Sequence, residues 1–204
     1  MPSPEEIERQ LRATIAAGGM VERTEHFRTT FLTPLTKVQF KKLRQGAVVP
    51  ARATSGSSGY DLSIPNDDIS TLVIRPAEIL KPSGELHDDS KGFTLFPDGL
   101  VIICTGIAIN IQDPEWEAQI RARSGLSTKR RLIIVNGIGT VDSDYHGELM
   151  VALLNLSGES QQLRCGERIA QLVFCPISCP TLEEVTDFEQ PTERNTGGFG
   201  STGS

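Results

Sequence analysis

The sequence contains few of the residue types that build metal centres, disulfide frameworks and aromatic cores. Aromatic residues make up only 5% of the 204 residues, so we expect a core of aliphatic side chains contributed by β-strands. The four cysteines form no CxxC pair, and the three histidines are scattered without metal-ligand spacing. This pattern indicates packed, free thiols and argues against a zinc-binding or disulfide-rich class of protein.

Long apolar runs and an excess of positive charge are also missing. No run reaches the length of about 20 residues that a membrane-spanning helix needs. The formal net charge of −6 argues against a nonspecific nucleic-acid binder, which needs a basic face. The N-terminus lacks an apolar signal core, and Glu5 and Glu6 do not suit a mitochondrial presequence. We therefore expect an intracellular, cytoplasmic protein with neither membrane nor nucleic acid as partner; a nuclear location stays open.

Composition divides the chain into three parts. Residues 1–36 form an N-terminal extension, in which Ser3 is suited to cap a short helix over residues 3–17. A β domain over residues 37–190 follows the extension. The chain then continues into a glycine-rich C-terminal segment, residues 191–204, which we interpret as a lid.

The β domain consists of short runs of β-type residues separated by turn residues. Clusters of glycine, proline, aspartate or serine separate most of the runs, which favours a sandwich or barrel over alternating βαβ units. The runs 100–103 and 149–154 are apolar at every position, so we expect a second subunit to cover their outer face. The predicted strands are 37–43, 60–64, 71–74, 100–111, 117–122, 131–135, 147–156, 161–164 and 168–177.

A polar, irregular segment over residues 81–98 interrupts this domain. We interpret it as an excursion from the β core that contains a hairpin through residues 93–96. Loops of this length are more often functional or mobile than not. This segment and residues 1–36 are therefore candidate surfaces for a protein partner.

Four glycine-containing turns carry side chains suited to bind a nucleotide. Arg123, Ser124 and Gly125 combine a guanidinium, a hydroxyl and open N–H groups, which suit a phosphate. Farther along, Asn136 can pair with a base edge, and Asp142 can orient or deprotonate a water. Each turn on its own also fits an ordinary turn or hairpin with solvated polar groups. The four turns are 58–62, 123–127, 136–148 and 166–172.

The C-terminal segment has the composition of a lid over a nucleotide. Its glycines allow close backbone approach to an anion, Arg194 suits phosphate oxygens, and Phe199 offers a flat face to a base. The same composition is also that of a flexible tail. Taken together with the four turns, it favours the lid.

The four turns and this lid, in this order, resemble the trimeric deoxyuridine triphosphatase (dUTPase) family. The resemblance covers about residues 37–204 and leaves out residues 1–36 and 81–98. It implies an all-β, jelly-roll-like barrel or sandwich and a homotrimer with three active sites at subunit interfaces. The implied reaction is hydrolysis of dUTP to dUMP and pyrophosphate, which controls the dUTP level and supplies dUMP for thymidylate synthesis.

The resemblance also implies a role for each polar side chain of the site. Tyr145 packs on the deoxyribose and leaves no room for a 2′-hydroxyl, and Asp142 holds the attacking water near the 3′-hydroxyl. Asp61 supports the metal–phosphate region through water or a neighbouring arginine. The implied substrate-binding residues are, for uracil, Asn136, Gly139 and Val141, and, for the phosphates, Arg123, Ser124, Gly125 and Gln171.

The lid and a metal ion complete the implied site. Arg194 reaches the terminal phosphate, and Phe199 covers the uracil from a neighbouring subunit, with Gly200 and Ser201 also at the substrate. Mg²⁺ is the implied cofactor. It is held mainly by the three phosphates, which agrees with the lack of a metal-ligand cluster in the sequence.

Two other functions stay open at this point. A dCTP deaminase-like enzyme would use a glutamate after the third turn, and Glu148 lies in that region; ammonia release from dCTP would identify it. A nucleotide-gated regulatory binding protein would use residues 1–36 or 81–98 as its partner surface. Pull-down experiments with and without dUTP would detect that activity.

The lid generates a first prediction. Deletion of residues 192–204 should leave a folded trimer with little dUTP hydrolysis, because the phosphate and uracil contacts that close the site are lost. The measurement is pyrophosphate release together with the molecular mass in solution.

A mixing experiment tests whether each site borrows its lid from a neighbour. Tail-deleted subunits mixed with Asp142→Asn subunits should regain activity that neither parent has. If verified subunit exchange restores no activity, each chain closes its own site.

Overall fold

The structure is a computed structural model that describes residues 34–66, 73–74, 92–188 and 192. The helix expected over residues 3–17 therefore lies outside the described residues, as do most of segment 81–98 and the lid. Within the described ranges, no helix has the length and hydropathy of a membrane span.

The described residues form eleven β-strands and one short α-helix, as expected for an all-β fold. The elements are β1 (Gln39–Lys42), β2 (Tyr60–Ser63), β3 (Val73–Ile74), β4 (Gly92–Leu95), β5 (Leu100–Asn110), β6 (Trp116–Ala122), α1 (Ser124–Arg130), β7 (Leu132–Ile134), β8 (Gly139–Val141), β9 (Glu148–Asn155), β10 (Gln161–Arg164) and β11 (Arg168–Pro176).

The strands form two larger sheets and one two-stranded ribbon. The first sheet has the order β1-β5-β9-β7, with β3 also paired to β5, and the second has the order β2-β11-β6-β8. Strands β10 and β4 form the ribbon. The pairings are antiparallel. The second sheet matters most for function, because three of the four predicted turns lie at the ends of its strands.

The core is aliphatic, as the low aromatic content predicts. In β9, Leu149, Val151 and Leu153 are buried, whereas the residues between them are not. This two-residue period is that of a strand with one face on the core, and each such side chain contributes about 1.5–3 kcal/mol by its burial. Among the largest fully buried side chains of the described residues, Phe93 of β4 is the one aromatic ring.

The opposite face of the first sheet is apolar and only partly covered. Met150 is 42% exposed, and Ile102, Ala152 and Leu154 are half-buried. The direct cross-strand pairs Leu100–Leu154 and Ile102–Ala152 make this apolar surface continuous. It is the uncovered face that the apolar runs predict, and the second subunit expected on it stays a prediction.

The third turn is more complex than a simple hairpin. Its two arms, β7 and β9, do pair, with Ile134 opposite Leu153. Between them, however, lies β8, which pairs with β6 of the other sheet. A three-residue strand inside a glycine-rich turn has no sequence period of its own, so only its distant partner defines it.

Two further expectations are corrected by the structure. Residues 93–96 were expected to form a local hairpin, but β4 pairs with the distant β10, and Phe93 and Leu95 are buried. This part of segment 81–98 therefore belongs to the β core. The second turn continues into helix α1, although serine, glycine and threonine are weak helix formers, because Leu126 is buried beneath it.

Asn155 at the end of β9 connects three segments. It is fully buried, and its Nδ2 donates to the carbonyl oxygens of Leu95, Phe96 and Glu159 at 2.9, 3.0 and 2.9 Å. Its Oδ1 accepts from the N–H and the hydroxyl of Ser157 at 2.9 and 2.6 Å. A single buried amide thus satisfies polar groups on both neighbouring turns.

We expect Asn155→Leu to destabilise the protein by about 2–4 kcal/mol, because three carbonyls lose the Asn155 donor, that of Leu95 in a buried position, and the Ser157 donors lose their acceptor. The free energy of unfolding is measured by urea denaturation at one fixed protein concentration. Asn110→Leu is the control, since the Asn110 amide donates to Gln39 in an exposed position at 3.2 Å. Equal losses in both variants would contradict a special role for Asn155.

Candidate active site

A polar pocket lies where β6 ends and α1 begins. Its volume is about 270 Å³, and it brings together residues from the second and fourth turns. A guanidinium, a hydroxyl, the main chain around a glycine and an amide side chain suit an anion such as a phosphate. A Cβ at Gly125 would meet no atom within 4 Å, so the backbone there is open to a ligand. The lining residues are Arg123, Ser124, Gly125, Leu126, Lys129, Arg130 and Gln171.

Asp61 holds the arginine of this pocket in place. It lies on β2 and is only 7% exposed. Its Oδ1 accepts from Arg123 Nε at 3.0 Å, and its Oδ2 accepts from Arg168 Nη1 at 3.1 Å. Arg123 Nη1 also donates to the carbonyl of Arg168 at 3.1 Å. Two arginines thus contact one carboxylate, and the support of the metal–phosphate region by Asp61 stays a prediction.

The sheet register explains why the first and fourth turns meet. Gln171 of β11 lies directly opposite Asp61 of β2, so both side chains are on the same face of the sheet. A Cβ at Gly59 would lie 3.0 Å from the Cβ of Gln171. Glycine at this position therefore permits the close approach of β2 to the pocket amide.

The third turn brings the Asn136 side chain beside Gly139 of β8. Gly137 has a φ of 70°, and its N–H donates to the carbonyl of Ile134 at 2.9 Å. Asn136 Nδ2 lies 3.4 Å from the position that a Cβ would take at Gly139. The side chain of Val141 is buried in the core, so only its main chain is available to a ligand. Asn136 and Gly139 thus form one small polar surface.

Asp142 and Tyr145 follow β8 in a tight turn. The N–H of Tyr145 donates to the carbonyl of Asp142 at 3.1 Å, and the Tyr145 hydroxyl donates to the carbonyl of Glu148 at 3.0 Å. The Asp142 carboxylate is exposed, and no residue in the described part of the chain is seen to donate to it. Its exposure makes it accessible to water.

The structure places the predicted site residues in two groups. One comprises the pocket around Arg123 with Asp61, and the other lies along the turn from Asn136 to Tyr145. The pocket lining contains no residue of the second group. The lid residues Arg194, Phe199, Gly200 and Ser201 lie outside the described residues.

Sequence reasoning missed three cations near the pocket. Lys129 and Arg130 line it, and Arg168 binds Asp61. Arg130 is held by Glu167 at 2.5 Å. Recognition of the helix would have identified Lys129, because Gly125 and Lys129 are four residues apart and share a helix face.

Comparison with known proteins gives consistent matches. Residues 89–203 match the family model described as dUTPase, so the end of segment 81–98 lies inside the family domain. A deoxyuridine 5′-triphosphate nucleotidohydrolase from Hydrogenobaculum sp. is 41% identical over 167 residues, which cover 82% of this chain and 98% of that protein. The corresponding protein from Heliobacterium modesticaldum is 36% identical over 167 residues, with 82% and 96% covered.

The fold is similar to that of solved phage proteins. A Staphylococcus bacteriophage 80alpha dUTPase with dUPNHPP superimposes with a TM-score of 0.61 at 26% identity, covering 83% of this chain and 99% of that chain. A point mutant of that phage protein with dUpNHpp gives the same values. These matches confirm the jelly-roll-like β fold expected from the sequence.

The paired arginines lead to a prediction for anion binding. Asp61→Asn keeps the shape of the side chain but removes the charge that orients Arg123. We expect the Kd for inorganic pyrophosphate to rise about tenfold, which corresponds to about 1.4 kcal/mol. Calorimetric titration measures it, with Asp113→Asn as control, since Asp113 Oδ1 accepts from the Glu115 N–H at an exposed turn. An unchanged Kd would show that Arg123 needs no such support.

Proposed function

This chain belongs to the dUTPase family, and we propose that it hydrolyses dUTP to dUMP and pyrophosphate. The reaction lowers the dUTP level and supplies dUMP for thymidylate synthesis, and we propose a cytoplasmic location for it. The observation that carries the proposal is the polar pocket in which the buried carboxylate of Asp61 orients Arg123.

The phosphate chain of dUTP is assigned to this pocket. Arg123, Ser124 and Gln171 supply charged and neutral donors, and the main chain around Gly125 is open. A bidentate guanidinium suits phosphate oxygens better than a point charge does. Lys129 adds a second positive charge at the exposed rim. The donors are in position before substrate arrives, so little reorganisation accompanies charge development.

The uracil and the sugar are assigned to the third turn. Asn136 and the main chain at Gly139 and Val141 provide hydrogen-bond donors and acceptors for a base edge. Such a site rejects cytosine by leaving polar groups unpaired, and it rejects thymine by lack of space for the methyl group. The Tyr145 ring, held through its hydroxyl, packs against deoxyribose where a ribose 2′-hydroxyl would stand.

Asp142 is the proposed general base. Its exposed carboxylate accepts a proton from a water whose oxygen forms a bond to the α-phosphorus. The bond from the α-phosphorus to the bridging oxygen breaks, and pyrophosphate leaves. Arg123 and, from the lid over residues 191–204, Arg194 stabilise the charge that develops on the leaving group.

The dUTPase family uses a divalent metal, and Mg²⁺ is the ion proposed here. The described residues contain no group of three or more His, Cys, Asp or Glu that could hold a metal. Asp61 is engaged by two arginines. The hard phosphate oxygens of dUTP are therefore the proposed ligands, and the bound ion neutralises part of their charge.

A homotrimer with the active sites between subunits is the proposed assembly. The pocket around Arg123 is lined without Asn136, Asp142 or Tyr145, which supports a site completed by the third turn of a neighbouring subunit. The apolar outer face of β5 and β9 supplies a surface for such contacts. A charge-depleted, aliphatic face is typical of a permanent subunit interface.

Neither alternative function is favoured. The carboxylate of Glu148, the residue considered for a deaminase, accepts from the N–H of Gly106 at 2.6 Å and from Arg44 at 3.2 Å. It is thus occupied within the fold. Relatives of this chain are named deoxyuridine 5′-triphosphate nucleotidohydrolases, which favours the hydrolase over a purely regulatory binding protein.

The proposed base leads to a kinetic prediction. Asp142→Asn keeps the size of the side chain but removes its basicity, so kcat for dUTP should fall about 10²–10⁴-fold while binding of a nonhydrolysable dUTP analogue survives. Asp144→Asn is the matched control, because Asp144 is an exposed carboxylate in the same turn. Turnover of Asp142→Asn close to that of the wild type would remove Asp142 from this role.

A further inference from the structure

Strand β5 contains a β-bulge. A side chain of the adjacent strand β9 accepts a hydrogen bond from a main-chain N–H in this bulge. The register between β5 and β9 shifts between Cys104 and Ala108, and Gly106 has a φ of 73°. A bulge leaves a main-chain group without its ladder partner. Here the Gly106 N–H donates to Oε1 of Glu148 at 2.6 Å. The carboxylate of Glu148 therefore replaces the missing strand partner.

Arg44 closes the other side of this carboxylate. Its Nη2 donates to Glu148 Oε1 at 3.2 Å, and the two side chains are 23% and 21% exposed. The N–H of Leu43 also donates to the carbonyl of Gly106 at 2.7 Å. A Cβ at Gly106 would lie 2.7 Å from the Cβ of Ala47 and 2.8 Å from Arg44 Cγ. Only glycine leaves room for this contact between the loop and the bulge.

Cys104 also faces this carboxylate. Burial raises the pKa of its thiol, and the negative charge of Glu148 raises that pKa further. The thiol is therefore uncharged at neutral pH and does not repel the carboxylate. Glu148 is thus contacted from β5 and from the loop at Arg44.

The main-chain carbonyl of Glu148 binds Tyr145, the residue proposed to pack on the sugar. The Tyr145 hydroxyl donates to the carbonyl of Glu148 at 3.0 Å, and the Tyr145 N–H donates to the carbonyl of Asp142 at 3.1 Å. Gly147 between them has no room for a Cβ, which would collide with the Tyr145 hydroxyl. The ring is therefore fixed at its main chain and at its far end.

We propose that Glu148, supported by Arg44, is a positioning residue that sets the angle of the Tyr145 ring and thereby the preference for dUTP over UTP. This inference rests on the proposed role of Tyr145 at the sugar. Glu148 is the first residue of β9 and lies opposite Ala108 of β5, so its side-chain contacts and this pairing together set where its carbonyl lies. When the carboxylate is removed, the bulge N–H and Arg44 lose their partner and the carbonyl under the tyrosine shifts. The ring then tilts, and a 2′-hydroxyl fits.

The experiment compares kcat/KM for dUTP and for UTP in four proteins. These are the wild type, Glu148→Ala, Tyr145→Phe, which keeps the ring but removes the hydroxyl, and the double variant. We expect each single variant to lower the ratio of kcat/KM for dUTP to kcat/KM for UTP about three- to tenfold. Both substitutions break the same connection, which joins Tyr145 to Glu148. The dUTP/UTP ratio of the double variant should therefore fall no further than that of the more affected single variant.

Glu167→Ala is the matched control. Glu167 forms an ion pair with Arg130 whose side chains are 27% and 23% exposed, close to those of the Arg44–Glu148 pair. Glu167 is not bonded to the Tyr145 turn, so its loss should change the rates with both substrates alike and leave the ratio unchanged. If Glu148→Ala does not fold, Glu148→Gln, which keeps an acceptor for Gly106 but removes the charge facing Arg44, takes its place with a smaller expected loss.

The outcomes separate this inference from the proposed function. A lowered ratio in the Glu148 variant, with an unchanged ratio in Glu167→Ala, supports the positioning role. Equal losses with dUTP and UTP, or additive losses in the double variant, would overturn it. Failure of the proposed function is recognised independently, because the wild type itself would then hydrolyse UTP as well as dUTP, or neither.

Discussion

The ion pairs of Asp61 with Arg123 and Arg168 are the interaction on which the candidate site depends. A carboxylate that is only 7% exposed has lost most of its hydration. Ion pairs with two guanidinium groups, at 3.0 and 3.1 Å, replace the lost water. The three residues come from three different parts of the chain. Their pairing therefore joins β2, β11 and the start of α1, and it gives Arg123 a fixed direction before any phosphate is bound.

A second carboxylate has a similar place on the other sheet. Glu148 meets a bulge N–H and the guanidinium of Arg44, and its carbonyl holds Tyr145. Both carboxylates are largely withdrawn from water and both are engaged by arginine. Neither is placed to act on a substrate directly. The exposed Asp142 is different, because it lies at the surface of a turn, where a water can reach it.

Particular elements show what could be predicted from the sequence. Strands β5, β6, β9, β10 and β11 were predicted within one or two residues, because each has a clear run of β-type residues between turn residues. Strand β8 and helix α1 were missed. The first is three residues long and is defined only by its pairing with β6, and the second is held by the burial of Leu126 against the propensity of its serine and glycine.

The sequence by itself determined the family and the aliphatic β fold, because short motifs in a fixed order and short runs of β-type residues between turn residues are local properties of the chain. Only the tertiary structure decided which of the polar residues meet. Asp61 and Arg168 are 107 positions apart, and Arg44 and Glu148 are 104 apart. Such pairs form through strand register and a backbone bulge, which depend on contacts between distant segments that no local pattern records.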